Sequence, residues 1–287
     1  MKIELLAIAT FCASVMPVQA DPFTQANTLF SAARGGRYIA PAADEIRRAE
    51  VLFLRLAKGE KSADVTAEAQ ALALDVRSEG TLTIVREHED GKRGRGFFIF
   101  RRDARPYVLQ VPHGWTDEMT EDIGMALFRE GSFAAAVWNT VPRYYKEKGE
   151  RIDADMAHLS DSYFSAFTRA AAQAWPSGQS LQIHGFEQGK RKSEAGAKTD
   201  MIISNGTRAP SENLRKQWRC LTEKLDRPIA LYPDTVTEIG GTANVQGGHL
   251  RNLGYDGFIH LEMSHGMRRA LRDDAATRAV FLSCLQP

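Results

Sequence analysis

From residue 118 onward the chain alternates helical and extended patterns, and this alternation constrains its fold more than any other feature. Apolar residues recur at helical spacing over 118–129, 160–174 and 211–225. Between them lie short runs rich in β-branched and aromatic residues at 133–140, 180–186, 201–204, 229–232 and 258–264. Helices interleaved with strands must pack on the faces of a shared sheet. The expected class is therefore α/β, a three-layer sandwich with a mixed, largely parallel central sheet.

Upstream, residues 44–60 and 62–76 read as two helices, so a helical N-terminal segment over 21–80 is expected ahead of a main domain at 81–287. The runs 81–87, 96–102 and 107–113 read as two antiparallel strands feeding a central one. No internal repeat or low-complexity segment interrupts this order. The polar stretch 187–199 is the most loop-like, and the glycine-rich stretch 240–250 reads as a flexible flap.

The formal net charge of +1, with 37 Lys+Arg against 36 Asp+Glu, argues against a nucleic-acid partner. The first twenty residues carry one lysine, an apolar stretch and the ending Val18-Gln19-Ala20, the pattern of a cleaved secretory signal. The expectation is a secreted or periplasmic protein with no membrane association after cleavage. Cys12 would leave with the signal, and Cys220 and Cys284 would remain as an even pair in an oxidising compartment. A disulfide between them would tie the C-terminal helix to an earlier one. Two cysteines without CxxC spacing argue against a thiolate zinc site.

In open α/β sheets functional groups gather at the carboxyl ends of strands. Three strands end in suitable residues: His113 with Asp117 and Glu118, then His184, then Glu262 within the last strand. A histidine leaving a strand and a glutamate in the first turn of the next helix can converge. His184 would complete a His2Glu set that leaves a fourth zinc position open. A strand-end histidine is equally an ordinary hydrogen-bonded residue, so spacing alone leaves both readings open.

The motifs VPHGWTDE (111–118), IHGFE (183–187) and FIHLEMSHGMRR (258–269) resemble, in type and order, those of zinc-dependent carboxypeptidase-like hydrolases. The likeness is to phage-type poly-gamma-glutamate hydrolases and, more distantly, N-formylglutamate amidohydrolases, and it spans residues 107–272. The resemblance implies Zn2+ held by His113, Glu118 and His184, with Glu262 as general acid/base. Asp117 is the rival carboxylate ligand, with Glu118 favoured on spacing. The implied activity is that of an amidohydrolase or carboxypeptidase-like peptidase acting on a small peptide or an N-acyl amino acid next to a carboxylate.

For the substrate carboxylate, Arg143 is the leading candidate, because a planar guanidinium suits bidentate recognition. Asn139 could donate to a carbonyl oxygen, Arg268 is a further cation, and Tyr255 is either a phenol over the site or a core aromatic. A structural ion pair with Arg268 or Arg269 is the competing reading of Glu262. His260 shares a strand face with Glu262 and could orient it. His158 with Asp155 and Asp161 could form a second metal site, support the first as a polar neighbour, or be a capped and solvated helix start, and Lys190-Arg191-Lys192 is either an anion lure or a solvated loop. Two rivals remain: a serine hydrolase, disfavoured because no GxSxG elbow occurs and only Ser204 ends a strand before a glycine turn, and a non-catalytic exported binding protein.

Overall fold

Side-chain alternation along the strands sorts the core into two layers. The computed structural model describes residues 21–286. Its first elements are α1 (Pro22–Ala33), α2 (Ala43–Ala57), α3 (Ala63–Ala71), β1 (Leu74–Glu79), β2 (Leu82–Glu87), β3 (Phe97–Arg101) and β4 (Arg105–Val111). There follow α4 (Thr120–Glu130), β5 (Phe133–Trp138), β6 (Tyr144–Glu147), β7 (Glu150–Asp153), α5 (Tyr163–Ala174) and β8 (Gln179–Gly185). The chain closes with α6 (Glu194–Lys198), β9 (Met201–Ser204), α7 (Glu212–Lys224), β10 (Ile229–Leu231), α8 (Val245–Asn252), β11 (Phe258–Met263), α9 (His265–Asp273) and α10 (Ala275–Leu285).

Nine strands form one sheet in the order β1-β2-β3-β5-β4-β8-β11-β9-β10. Its middle, β5-β4-β8-β11, is parallel, while β1, β2 and β3 attach antiparallel on one side and β9 antiparallel on the other. Ile99, Leu109, Val111, Trp138, Ile183 and Leu261 point to a face covered by α1, α4, α7, α9 and α10. Their neighbours Phe98, Phe100, Val108 and Val137 point to the opposite face, under α2, α3 and α5. The result is the three-layer α/β sandwich expected from the alternation.

On that second face, the central strands carry polar groups where apolar ones would continue the pattern. Gln110, Gln182 and His260 stand in register across β4, β8 and β11, and His184 pairs with Glu262 one row further on. These positions lie toward the carboxyl ends of parallel strands.

Several expectations change. The stretch 62–76 is not one helix: α3 stops at Ala71, Ala73 takes a left-handed φ of 57°, and β1 starts at Leu74 and pairs with β2. Residues 21–80 thus supply an edge strand to the main sheet as well as helices. β3 pairs with β5 rather than leading into β4. The stretch 240–250 is not a loose flap, because α8 begins at Val245 under an Asn244 cap and Gln246 is buried. Gly240 also lies so close to the Tyr232 ring that a Cβ would come within 2.4 Å of it. The expected signal sequence and Cys12 fall on residues 1–20, outside the described residues. Among the described residues no helix is long and apolar enough to cross a membrane.

Cys220 of α7 and Cys284 of α10 form a disulfide across 64 residues of chain, with Cα atoms 5.5 Å apart. Closing a loop of that length removes entropy worth up to about 4 kcal/mol from the unfolded chain. Replacing both cysteines by alanine is expected to lower the unfolding free energy by several kcal/mol. Urea titration showing no change would disprove that role.

Candidate metal centre

β4 ends at Val111, and the next residues fold into consecutive tight turns. Thr116 N and Asp117 N both donate to His113 O, at 3.0 and 2.8 Å, and Thr120 Oγ1 donates to Asp117 O at 2.7 Å. Met119, with φ 71°, then starts α4. These turns bring Asp117 back beside His113, where its Oδ2 also accepts from Gly185 N at 2.9 Å and so grips the end of β8. Glu118 faces solvent. The favoured Glu118 therefore gives way to Asp117, because the helix begins at Thr120 and not at residue 118.

His113, Asp117 and His184 form a buried group whose ligand atoms converge. His113 Nδ1 lies 3.1 Å from His184 Nδ1, and Asp117 Oδ2 lies 3.5 and 3.7 Å from those two nitrogens. Ligands about 2.0–2.1 Å from a tetrahedral zinc stand about 3.3 Å from one another. The far nitrogens are already committed: His113 Nε2 donates to Asp155 Oδ1 at 2.7 Å and His184 Nε2 to Gln182 Oε1 at 2.8 Å. With those tautomers, assigned from the partners, two Nδ1 lone pairs face each other across 3.1 Å. A proton or a metal cation must lie between them, and the nearby carboxylate favours either. The donor set fits a divalent metal of the zinc type.

Of the groups behind the histidines, the sequence points to Asp155 only as a companion of His158. Asp155 is a hub: its Oδ2 accepts from Arg143 Nε at 2.8 Å, Tyr144 OH at 2.7 Å and His158 Nδ1 at 2.9 Å. The β6-β7 hairpin delivers it, with Ala154 N donating back to Arg143 O. Gln182 Nε2 donates to Gln110 Oε1 and Gln246 Oε1. Gln110 Nε2 passes the chain to Thr168, and Gln246 Nε2 to Ser165 and Met156 O. Gln182 was recoverable from alternation, since it precedes His184 by two residues on a strand.

Glu262 lines the cavity of about 430 Å3 that His113, Asp117, His184, Arg143 and Arg208 share. It is the wall of a second hollow, of about 470 Å3, with Arg268, Arg191 and Glu118. A second converging group, His184, His260 and Glu262, places these three within 4.8 Å of one another. His184 belongs to both groups; its Nε2 is held by Gln182, and its Nδ1 faces His113 Nδ1. His260 Nε2 stands 3.8 Å from Glu262 Oε1. Arg268 is buried and donates to Met263 O at 2.8 Å; it makes no ion pair with Glu262 within 4.0 Å. Asn139 and Tyr255 leave the list of site residues. The Asn139 amide is spent on Pro112 O, Ala154 O and Val141 N, and Tyr255 is a core aromatic whose hydroxyl meets Ser180. Asp161 lines neither cavity, and the basic loop contributes Lys190 and Arg191 to the second one.

Electrostatics divides the labour. Burial disfavours charge on His113, but Asp117 and Asp155 outweigh it and raise the pKa. Burial, aided by His113, pushes His184 down to about 4. Asp117 stays far below the usual carboxylate range, since the two histidines overcome its burial. Burial and the Asp117 charge drive Glu262 well above its ordinary value, despite Arg191, Arg143 and Arg268. Burial likewise pushes His260 well below 6.5.

No family model matches this chain, and no curated protein does. An N-formylglutamate amidohydrolase from Ralstonia eutropha JMP134 is 12% identical, with TM-score 0.45, over 67% of this chain and 97% of its own. A zinc-free apo structure of YNDL is 13% identical, with TM-score 0.37, over 67% of this chain and 87% of its own. Likenesses this remote assign no residue a role.

Two outcomes follow. Asp117→Asn should weaken zinc binding at least about tenfold while Glu118→Gln leaves it unchanged, as read by chelator competition; the reverse order would restore Glu118. In chelated protein, His184 stays neutral down to about 4 whereas the unfolded chain takes its proton near 6.5. The unfolded state then binds more protons in that window, so stability should fall as pH drops from about 6.5 to about 4. His184→Gln should flatten this slope in urea titrations, and an unchanged slope would refute the assignment.

Proposed function

We propose that this protein is a zinc-dependent hydrolase that cleaves an amide or peptide bond next to a carboxylate, exported to the periplasm or secreted as its leading residues predict. The observation that carries the reading is the trio of donor atoms 3.1 to 3.7 Å apart, with both imidazoles anchored from behind and Glu262 in the same cavity. His113 Nδ1, Asp117 Oδ2 and His184 Nδ1 would hold the ion. Zinc bound there supplies Lewis acidity, polarising a carbonyl and making a water more acidic.

Glu262 does the proton work. Its carboxylate takes a proton from the attacking water and returns it to the leaving nitrogen, a role that a raised pKa suits. His260, neutral and close by, limits the positions that carboxylate can take. At the cavity rim, Arg143 is half-committed to Asp155, whereas Arg208 makes no hydrogen bond or ion pair among the described residues. Arg208 is therefore the cation freest to meet a substrate carboxylate, with Arg143 beside the metal ligands. A small peptide or N-acyl amino acid matches a cavity of this size.

Zinc-loaded protein screened against glutamyl amides, muropeptides and N-acyl amino acids should hydrolyse one class. Glu262→Gln should keep zinc and lose about 100-fold or more in kcat. Arg208→Ala should raise KM about tenfold or more with kcat nearly kept. Turnover retained in Glu262→Gln, or no turnover across the panel, would sink the reading.

A further inference from the structure

Helix α1 reaches the 113–117 turn through Arg34. Arg34, at the C-terminal cap of that helix, lays its guanidinium 4.3 Å from the centroid of the Trp115 ring. Its Nη2 pairs with Glu121 Oε2 at 3.1 Å. Trp115 sits between His113 and Asp117 in the chain, and Glu121 occupies the first turn of α4, directly after the loop. At Gly114 there is no space for a side chain, because a Cβ would lie 2.2 Å from Glu121 Cγ. One guanidinium therefore holds both a tryptophan of the loop and the carboxylate against which the loop backbone rests.

The Arg34 backbone is itself fixed, although its buried Nε has no hydrogen-bond partner among the described residues. Its N donates to Phe30 O, its O accepts from Lys92 Nζ at 2.9 Å, and the following Gly35 N donates to Thr140 O at 2.9 Å, just past β5. Nothing in the proposed chemistry uses Glu121. Yet this carboxylate is buried, and its Oε1 has no hydrogen-bond partner among the described residues. An under-paired buried carboxylate is destabilising, and it persists where the surroundings hold it for another purpose.

We propose that Arg34 is a positioning residue for the metal centre: through Trp115 and Glu121 it fixes the 113–117 turn, so that His113 and Asp117 face His184 before an ion arrives. The proposal rests on the metal reading given above. A loop ordered beforehand loses no conformational entropy when the ion binds, so affinity gains from the clamp. Three outer contacts then act on two ligands without touching the ion. The N-terminal helix thereby becomes part of the metal centre.

The test uses the full mature chain, stripped of metal, with Zn2+ titrated against a chromophoric chelator. Arg34→Ala should weaken zinc binding about tenfold. Arg34→Lys, which keeps the charge opposite Glu121 but loses the flat face over the indole, should fall between the two. Thermal melts establish that both variants fold.

A second readout needs no metal. Acrylamide quenching of Trp115, taken as the difference between the parent and Trp115→Phe, should rise in Arg34→Ala. Burial lifts the Glu121 pKa to about 7, opposed by Arg34 and helped by Asp122. The other charges around the adjoining hollow are Arg129, Glu130, Arg272 and Arg278. Trp115 emission should accordingly titrate near pH 7 in the parent and lose that step in Glu121→Gln. Zinc affinity in Arg34→Ala within twofold of the parent would overturn the positioning role, and so would unchanged Trp115 quenching. A parent that takes up no zinc, with quenching still dependent on Arg34, would instead overturn the metal centre and with it the role assigned to the clamp.

Discussion

Two imidazole nitrogens facing each other at 3.1 Å are the constraint on which the rest of the site depends. Left alone, such a pair would rotate until each ring found its own donor. Here neither ring can turn, because Asp155 holds one from behind and Gln182 the other. Gln182 in turn is fixed by Gln110, Gln246 and Asn244, so its carbonyl cannot exchange places with its amide nitrogen. A buried polar network of this extent is tolerable only when nearly every member is satisfied, and this one is. The network holds in place the converging atoms His113 Nδ1, His184 Nδ1 and Asp117 Oδ2.

That trio also orders the charges around it. Asp117 and Asp155 remain ionised because they face His113, and Arg143 balances Asp155. Glu262 is compensated only in part, by Arg191, Arg143 and Arg268, because burial pushes the pKa of its nearest imidazole, His260, well down. Two acidic side chains in one cavity therefore have pKa values pushed in opposite directions, Asp117 down by the imidazoles it faces and Glu262 up by burial and the Asp117 charge. This divergence is the usual basis for separating ligand and proton-transfer roles among carboxyl groups.

Much of the architecture was legible in the sequence because it rests on periodicity, which is local. The strand at 201–204 and the helix over 211–225 lie within a residue of their structural bounds. The failures are those that periodicity cannot see. A left-handed Ala73 splits an apparently continuous helical pattern and releases an edge strand. Of the residues chosen because strand ends are where chemistry gathers, His113, His184 and Glu262 line one cavity, whereas Glu118 was favoured on the assumption that the helix started at once. Three turns intervene, and they rotate Asp117 inward and Glu118 outward. Asn139 and Tyr255 looked available only because their partners, Pro112 O and Ser180, are set by tertiary contacts. Asp155 arrives on a hairpin whose short strands carry no strong pattern.

The cavity walls show the same dependence on distant chain. Glu262 stands between two hollows, and Ile239 lines both of them. Ile239 holds a φ of 48°, a conformation that a β-branched side chain avoids. It is kept there by its neighbours: Gly240 lies against the Tyr232 ring and Gly241 against the His260 ring, each too close for any side chain. Glu238, one residue earlier, accepts from Ser193 N and Oγ and so ties the segment to the loop before α6. Strain of this kind survives only where the surroundings over-determine the backbone. The wall beside Glu262 is consequently braced from behind, as the 113–117 turn opposite it is, and the cavity between them is shaped by packing on both sides.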